Sequence, residues 1–145
     1  MADTILTLNN VIRYYPPLEE LFNPVAGIYI VKNDDQLEVW FSNDEYNNCI
    51  LINKDNSDKL LKYLEEILNI SAFDLNNHYE PKYKSIILHE YDTMVMNVRF
   101  YRVDNDLTFT ILLNEQGRTE HEVHREFFKD LYDLIKIVVK GEKND

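Results

Sequence analysis

The residues whose types and spacing come closest to a metal site are His121, Glu122 and His124. On a helix the two imidazoles would lie about one turn apart, where they could share a cation. The metalloprotease signature, however, needs two histidines four residues apart with a glutamate between them, and that spacing is absent. Glu120 and Glu126 flank the group, so we predict a solvated acidic helix start that binds no metal and no cofactor.

Carboxylates are abundant, but the candidates for catalysis lie at predicted turns. The candidates for an acid–base pair all fall at turn positions, where an aspartate side chain bonds to its own backbone: Asp34, Asp35, Asp92, Asp104 and Asp106. An acid–base pair would need two groups in different environments. With three glycines in the chain, no phosphate-binding loop or nucleophile elbow is present. We therefore predict that the protein is not an enzyme.

The single cysteine and the two other histidines also fit structural roles. Cys49 opens an apolar run that ends at Ile52, which indicates a buried, inert thiol. One cysteine also excludes an internal disulfide. His89 falls in a predicted strand and His78 in a predicted loop, and both are interpreted as surface or core polar groups.

Aromatic side chains suggest a binding surface. Tyr29, Trp40, Arg99 and Tyr101 alternate with apolar residues in the predicted strands, so they would line the open sheet face if the apolar set faces the helices. An exposed aromatic face is typical of an interface with a protein or with unstacked bases. The alternative is that residues 4–22 or a second sheet cover this face.

The element boundaries follow from hydrophobic period and turn residues. The stretch 107–114 alternates like a strand, and apolar residues from Val123 to Val138 recur at helical spacing. Thr119 and Glu122 fit a capping box, and Gly141 fits a helix stop. We predict a final helix over 120–140. The other expected elements are a helix or a strand within 4–15, strands at 27–32, 37–42 and 49–52, a helix capped by Asn53 and ending near 69, a polar connector over 70–84, and strands at 85–90 and 93–103.

A weak internal repeat is visible at an offset that drifts from 58 to 61 residues. It places three pairs of segments over one another: Ile28–Asp34 over Ile86–Asp92, Val39–Phe41 over Val98–Phe100, and Ile50–Asn53 over Ile111–Asn114. We predict one α+β domain over 1–145, with an antiparallel sheet or sheets of about six strands and helices on one side. Units 27–69 and 85–140 would be duplicated strand-strand-strand-helix motifs; ordinary α+β regularity is the alternative.

Net charge limits the class of binding partner, and hydropathy indicates the compartment. The net charge is −11, and both halves are acidic: residues 1–72 carry 12 acidic and 5 basic side chains, and 73–145 carry 14 and 10. This opposes general phosphate-backbone binding and is compatible with a basic partner. The chain has no apolar run of about 18 residues and its start lacks the pattern of a signal peptide, so we expect a cytoplasmic protein without a membrane segment.

The expected order, a first helix, three strands, a helix, more strands and a last helix, resembles the type III secretion chaperone-like fold. The closest local likeness is the hairpin 98–111 leading into the amphipathic segment 127–134. The resemblance implies a non-catalytic, often homodimeric protein that binds a protein client along its sheet and helix surfaces. The long 70–84 connector and one extra strand depart from that pattern.

A second resemblance is to the PC4-like and Whirly single-stranded DNA-binding folds. The run Cys49–Asn53 leads straight into a helix carrying Leu60, Leu61 and Leu64, which is similar to the strand–helix junction of those families, and the duplicated unit is similar to Whirly proteins. Those families place basic and aromatic residues on their strands, whereas the strands predicted here carry few basic residues: Lys32, Arg99 and Arg102.

We therefore predict a non-catalytic protein that binds a protein partner, as a chaperone-like adaptor or as an acidic inhibitor of a basic protein, and that forms a homodimer if the first resemblance holds. The expected partner-binding residues are Tyr29, Trp40, Tyr101, Asp44 and Glu45. The alternative is a single-stranded nucleic-acid-binding protein of the PC4-like or Whirly type, using the same aromatic residues.

Overall fold

The computed structural model describes residues 27–43, 45–75, 80–88, 95–114 and 117–142, together with the backbone of 11–15. The strands are β1 (Val11–Tyr15), β2 (Gly27–Asn33), β3 (Gln36–Ser42), β4 (Asn47–Ile52), β5 (Lys82–Ile87), β6 (Val95–Val103), β7 (Asp106–Leu113) and β8 (Thr119–Val123). The helices are α1 (Ser57–Leu68), a short 3₁₀ turn (Ala72–Asp74), α2 (Arg125–Leu134) and the π-helical turn (Ile135–Val139) that continues α2.

The strands form two antiparallel four-stranded sheets, each in sequence order and each followed by a helix. The α+β prediction is confirmed, but the described residues contain eight strands in two sheets rather than about six strands. Residues 11–15 form a strand, so the strand alternative for this segment is confirmed where the backbone is described, and 4–10 lie outside the described residues.

The two units correspond at an offset of 70 residues rather than 58 to 61. The β2–β3 and β6–β7 hairpins turn at Asp34 and Asp104, and both aspartates are left-handed, with φ of 59° and 55°. Two-residue hairpin loops need such a conformation, and Asp adopts it more readily than most residues. The predicted overlay was wrong because β1 was not assigned as a strand, so β2 was matched to β5 instead of β6.

The inward faces of both sheets and the buried stripes of both helices form one hydrophobic cluster. In α1 the buried stripe contains Leu60, Leu61, Leu64 and Ile67. In α2, Phe128 packs edge-on against Phe109 of β7, with ring centroids 5.3 Å apart. Its neighbour Phe127 packs edge-on against Phe41 of the first sheet, so α2 connects the two sheets.

Each helix reaches the sheet of the other unit. In α1, the Tyr63 hydroxyl donates to the Lys84 carbonyl of β5 at 2.6 Å, and Glu66 pairs with the Lys84 ammonium at 2.7 Å. The π-helical turn contacts β3 of the first sheet, and the two helices pack on each other. Burial raises the pKa of Tyr63, against the opposing effect of its hydrogen bond with the Val98 backbone. The two units are therefore interlocked through their helices.

Two predicted helix starts were wrong. Residues 119–123 alternate between buried and exposed, the period of a strand, so Thr119 and Glu122 form no capping box and the final helix begins at Arg125. The Asn53 side chain accepts hydrogen bonds from the backbone of Asp55 and Asn56, which makes a turn before α1 rather than capping it. The left-handed stop at Gly141, with φ of 73°, is confirmed.

Candidate functional site: the outer sheet faces

The first sheet presents an aromatic row on the face that points away from the core. Tyr29 and Trp40 are direct cross-strand partners, and their alternation with buried Ile28, Ile30 and Val39 places them on this side. Both side chains are half-buried. The Trp40 indole N–H donates to a Glu38 carboxylate oxygen at 3.0 Å. We call this surface, formed by Tyr29, Val31, Glu38, Trp40, Cys49 and Leu51, the first outer face.

Cys49 takes part in this surface rather than in the core. It pairs with Trp40 across β3 and β4 and is half-buried, so the prediction of a buried thiol was wrong. The reason is the strand period: Asn48, Ile50 and Ile52 occupy the inward positions of β4, and the residues between them point outward.

The second sheet presents a more exposed outer face. Tyr83 and Arg99 are cross-strand partners on β5 and β6, as are Ile87 and Val95. Tyr83 is 56% exposed, Ile87 49% and Val95 38%. We call this surface the second outer face; it contains Tyr83, Ser85, Ile87, Val95, Asn97, Arg99, Tyr101, Thr108, Leu112, Glu120 and Glu122.

Charged side chains cross the second outer face from β6 to β8. An Arg99 guanidinium nitrogen lies 3.7 Å from a Glu120 carboxylate oxygen, and Arg118 lies 3.2 Å from the other. Glu122 is exposed one step further along β8. The face is therefore graded, with tyrosine and aliphatic side chains at the β5 side and carboxylates at the β8 side.

The structure divides the predicted site between two surfaces. Tyr29 and Trp40 lie on the first outer face, whereas Arg99 and Tyr101 lie on the second. Glu45 is exposed in the β3–β4 loop, where its backbone N–H donates to the Asn43 side chain. Asp44 lies outside the described residues. Alternation in the sequence indicated which side of a strand each residue occupies but not which sheet contains the strand.

Sequence reasoning missed one exposed aromatic residue of the second outer face. Tyr83 was assigned to the polar connector, yet β5 begins at Lys82. The signal that could have identified the strand is the alternation of Tyr83, Ser85 and Ile87 with Lys84 and Ile86. Lys82 and Lys84 gave the segment the composition of a surface loop.

The two candidate metal-binding histidines lie in different environments. His121 is 4% exposed on the inward side of β8, and its Nε2 lies 2.8 Å from the Ser42 carbonyl oxygen. His124 is exposed, immediately before α2. The solvated helix start was therefore wrong for His121. In the described part of the chain no three His, Cys, Asp or Glu side chains are grouped to hold a metal ion, and His78 and His89 lie outside that part.

A cavity of about 410 Å³ lies between the β6–β7 hairpin and the start of α2. It is lined by Ala72, Asn105, Asp106, Leu107, Phe109, His124 and Arg125. The Arg125 guanidinium is engaged by α1: it donates to the Leu68 carbonyl at 2.8 Å and to the Ile70 carbonyl at 2.6 Å. Arg125 therefore has a structural role at this cavity.

No protein-family model matches the sequence, and no curated protein matches it either. Among the helices that the structure describes, none is both long and apolar enough to cross a membrane.

Proposed function

We propose that this protein is non-catalytic and binds a protein partner on its second outer face. The observation that carries the proposal is the exposure of Tyr83, Ile87 and Val95 on one face of β5 and β6. Ile87 and Val95 are cross-strand partners, and Tyr83 lies four residues along β5, beyond the hydrogen-bonded Ser85–Asn97 pair. Large apolar side chains elsewhere in the described sheets are mostly buried or half-buried. Exposed large apolar side chains that share a sheet face are typical of an interaction surface.

The exposed apolar side chains would contribute part of the free energy of such a contact. Full burial of one aliphatic or aromatic side chain contributes about 1.5–3 kcal/mol, and these three are roughly half-exposed. Covering them would contribute about 3 kcal/mol before the cost of association. Three side chains of this size would supply an apolar centre, around which further contacts set the affinity.

The surrounding charge favours a partner with a basic rim. Glu122 is exposed on β8, at the side of this face opposite to the apolar side chains, whereas Glu120 is paired with Arg99 and Arg118; the whole chain carries a net charge of −11. A basic protein would be attracted over long range and oriented by these carboxylates. A chaperone-like adaptor and an acidic inhibitor of a basic protein are both compatible with this arrangement.

A matched pair of variants tests the proposal. The change Ile87→Asp places a charge inside the apolar group and should abolish partner recovery in a pull-down at low salt. Phe73→Asp is the control, because Phe73 is 70% exposed on the 3₁₀ turn, beside Arg102 and outside the second outer face. Equal recovery with both variants would contradict the proposal.

Single-stranded nucleic acid is a second candidate, and the first outer face supports it. Tyr29 and Trp40 lie side by side on neighbouring strands, a suitable surface for stacked bases. The start of β5 also adds Lys82 and Lys84 to the basic residues on strands, although Lys84 is paired with Glu66. The repetition of strands followed by a helix supports the PC4-like and Whirly resemblance more than the chaperone-like one, whose expected first helix is replaced by a strand over residues 11–15.

Trp40 is the only tryptophan, so its fluorescence reports on this surface alone. On this candidate function, adding a single-stranded oligonucleotide at low ionic strength should quench the emission, and Tyr29→Ala should weaken binding by about 5- to 150-fold, as expected for one lost stacking contact of about 1–3 kcal/mol. The same sequence as a duplex serves as the control. Unchanged emission with the single strand would remove this candidate.

A further inference from the structure

His121 lies at the junction between the two units. It belongs to β8 of the second sheet, and its Nε2 meets the carbonyl oxygen of Ser42 at the end of β3 in the first sheet. Its ring centroid lies 5.9 Å from that of Phe41. The imidazole therefore forms part of the contact that holds the sheets together.

The ring is held in its neutral form. A carbonyl oxygen only accepts hydrogen bonds, so Nε2 carries the proton that is donated to Ser42. The other nitrogen, Nδ1, is buried and has no hydrogen-bond partner among the described residues. Protonation would add a second N–H at Nδ1, together with a full positive charge, at a place where no described residue accepts a hydrogen bond.

Among the described residues, the groups around the ring do not compensate for a positive charge. The contacts from β3 are Phe41 and the Ser42 backbone, and the adjacent residue of β7 is Ile111. On β8 itself, Glu120 and Glu122 point to the opposite, exposed face. His124, before α2, is exposed, and the α2 side chain that reaches Phe41 is Phe127.

Uncharged side chains of the first sheet also bond to the segment that begins β8. The Asn48 amide donates to the Gly117 carbonyl at 2.8 Å and to the Thr119 hydroxyl at 3.0 Å. The Asn43 amide donates to the Arg118 carbonyl at 3.0 Å. These contacts hold the beginning of β8, and a buried charge at His121 would act on the same strand.

The first unit has an uncharged polar residue at the matching place. Phe41 of β3 and Ile111 of β7 correspond at the offset of 70 residues, and their cross-strand partners are Asn48 on β4 and His121 on β8. Asn48 is fully buried. A position that carries a non-titratable amide in one unit thus carries a titratable ring in the other.

We infer that His121 is a pH-sensitive latch whose protonation releases β8 from the first sheet and opens the junction between the units. Burial lowers the pKa of His121, and the hydrogen bond to Ser42 opposes that effect in part. The closed junction therefore favours the neutral ring, whereas an opened junction lets the ring take up a proton near its ordinary pKa of about 6.5. Opening becomes more favourable as the pH falls below that value, by up to about tenfold per unit.

Hydrogen exchange at pH 7.5 and pH 5.0, corrected for the intrinsic rates, measures this opening. Protection of residues 119–123 and of Ser42 should fall by up to about 30-fold at pH 5.0, while the centres of β2 and β6 keep theirs. His121→Leu, which lacks a titratable ring, should remove the difference, and the control His124→Leu should keep it. Equal protection of β8 at both pH values, or a difference that persists in His121→Leu, would overturn the inference.

A second measurement applies to the unmodified protein if His121→Leu does not fold. The ring resonances of the four histidines can be followed by NMR between pH 8 and pH 4. The inference predicts one histidine that titrates below 6.5 together with the Ser42 amide signal. Four histidines that all titrate near 6.5, with the Ser42 signal unchanged, would also overturn it.

Discussion

The Arg125→Ala variant tests how the end of α1 is joined to the start of α2. The Arg125 guanidinium donates to the carbonyls of Leu68 and Ile70 at 2.8 and 2.6 Å and lies 5.4 Å above the Phe109 ring. The last carbonyls of a helix have no partner within the helix and carry its negative dipole end, so a cation that donates two hydrogen bonds satisfies both needs.

The expected cost follows from those contacts. A hydrogen bond from a charged group contributes about 1.5–3 kcal/mol, and the two short bonds together are worth about 3–6 kcal/mol before compensation. Water reaches the half-buried site in the variant, and the freed side chain regains about 2 kcal/mol of rotamer entropy. We therefore expect Arg125→Ala to lower the free energy of unfolding by about 2–3 kcal/mol, and Arg125→Lys by about half as much, since an ammonium lacks the planar fork.

Urea titrations followed by Trp40 fluorescence and by circular dichroism measure these differences. Arg118→Ala is the matched control, because Arg118 is 64% exposed and makes only a surface pair with Glu120, for which we expect a change within about 0.5 kcal/mol. An Arg125→Ala variant whose stability equals that of the Arg118→Ala control would refute the reasoning.

Three further variants test other parts of the fold. Tyr63→Phe removes the hydroxyl that bonds to the Lys84 carbonyl, and we expect urea titrations to show a free energy of unfolding lower by about 1–2 kcal/mol. In the unmodified protein, burial raises the pKa of Tyr63, so its phenolate absorbance should appear only above the ordinary pH range of tyrosine. Asp34→Gly should change stability by less than about 0.5 kcal/mol because glycine accepts the left-handed backbone, whereas Asp34→Val should cost about 1–2 kcal/mol; equal melting temperatures for the two would contradict the hairpin geometry. Gly117→Ala should cost about 2 kcal/mol or more, because its Cβ would overlap the Tyr46 ring and its φ is 123°; adding Tyr46→Ala should restore only part of the loss, and a full restoration would show that backbone strain is unimportant there.

The first unit was predictable because local signals agreed in it. The hairpin of β2 and β3 has strict alternation on both sides of a turn at Asp34 and Asp35, and α1 has a complete apolar stripe. Both features depend only on neighbouring residues. The sequence therefore predicted these elements to within a few residues.

Strand β8 could not be recognised in the same way. Its sequence places polar Thr119 and His121 on the inward side, so the apolar half of the strand period is missing. Those polar groups are buried because the first sheet offers them partners, namely the Asn48 amide and the Ser42 carbonyl. Such partners are more than 70 residues away in the chain, and no local pattern indicates them.

The candidate surface was predictable only in part. Alternation correctly placed Tyr29, Trp40 and Tyr101 on outward faces, because that depends on the strand period alone. The division into two sheets depends on which strands pair, and this assigns Tyr101 to a different surface. The exposed Tyr83 was missed because residues 82–84, which begin β5, were assigned to the connector.

Site-specific photo-crosslinking in the native host tests most directly whether a partner docks on the second outer face. A benzophenone amino acid would replace Ile87 in one experiment and Phe73 in a control, since both side chains are exposed but only Ile87 lies on that face. We predict one discrete protein adduct from position 87, suppressed by an excess of the unmodified protein and not by the Ile87→Asp variant, and none from position 73. The absence of an adduct at position 87, or the same adduct from both positions, would contradict the account.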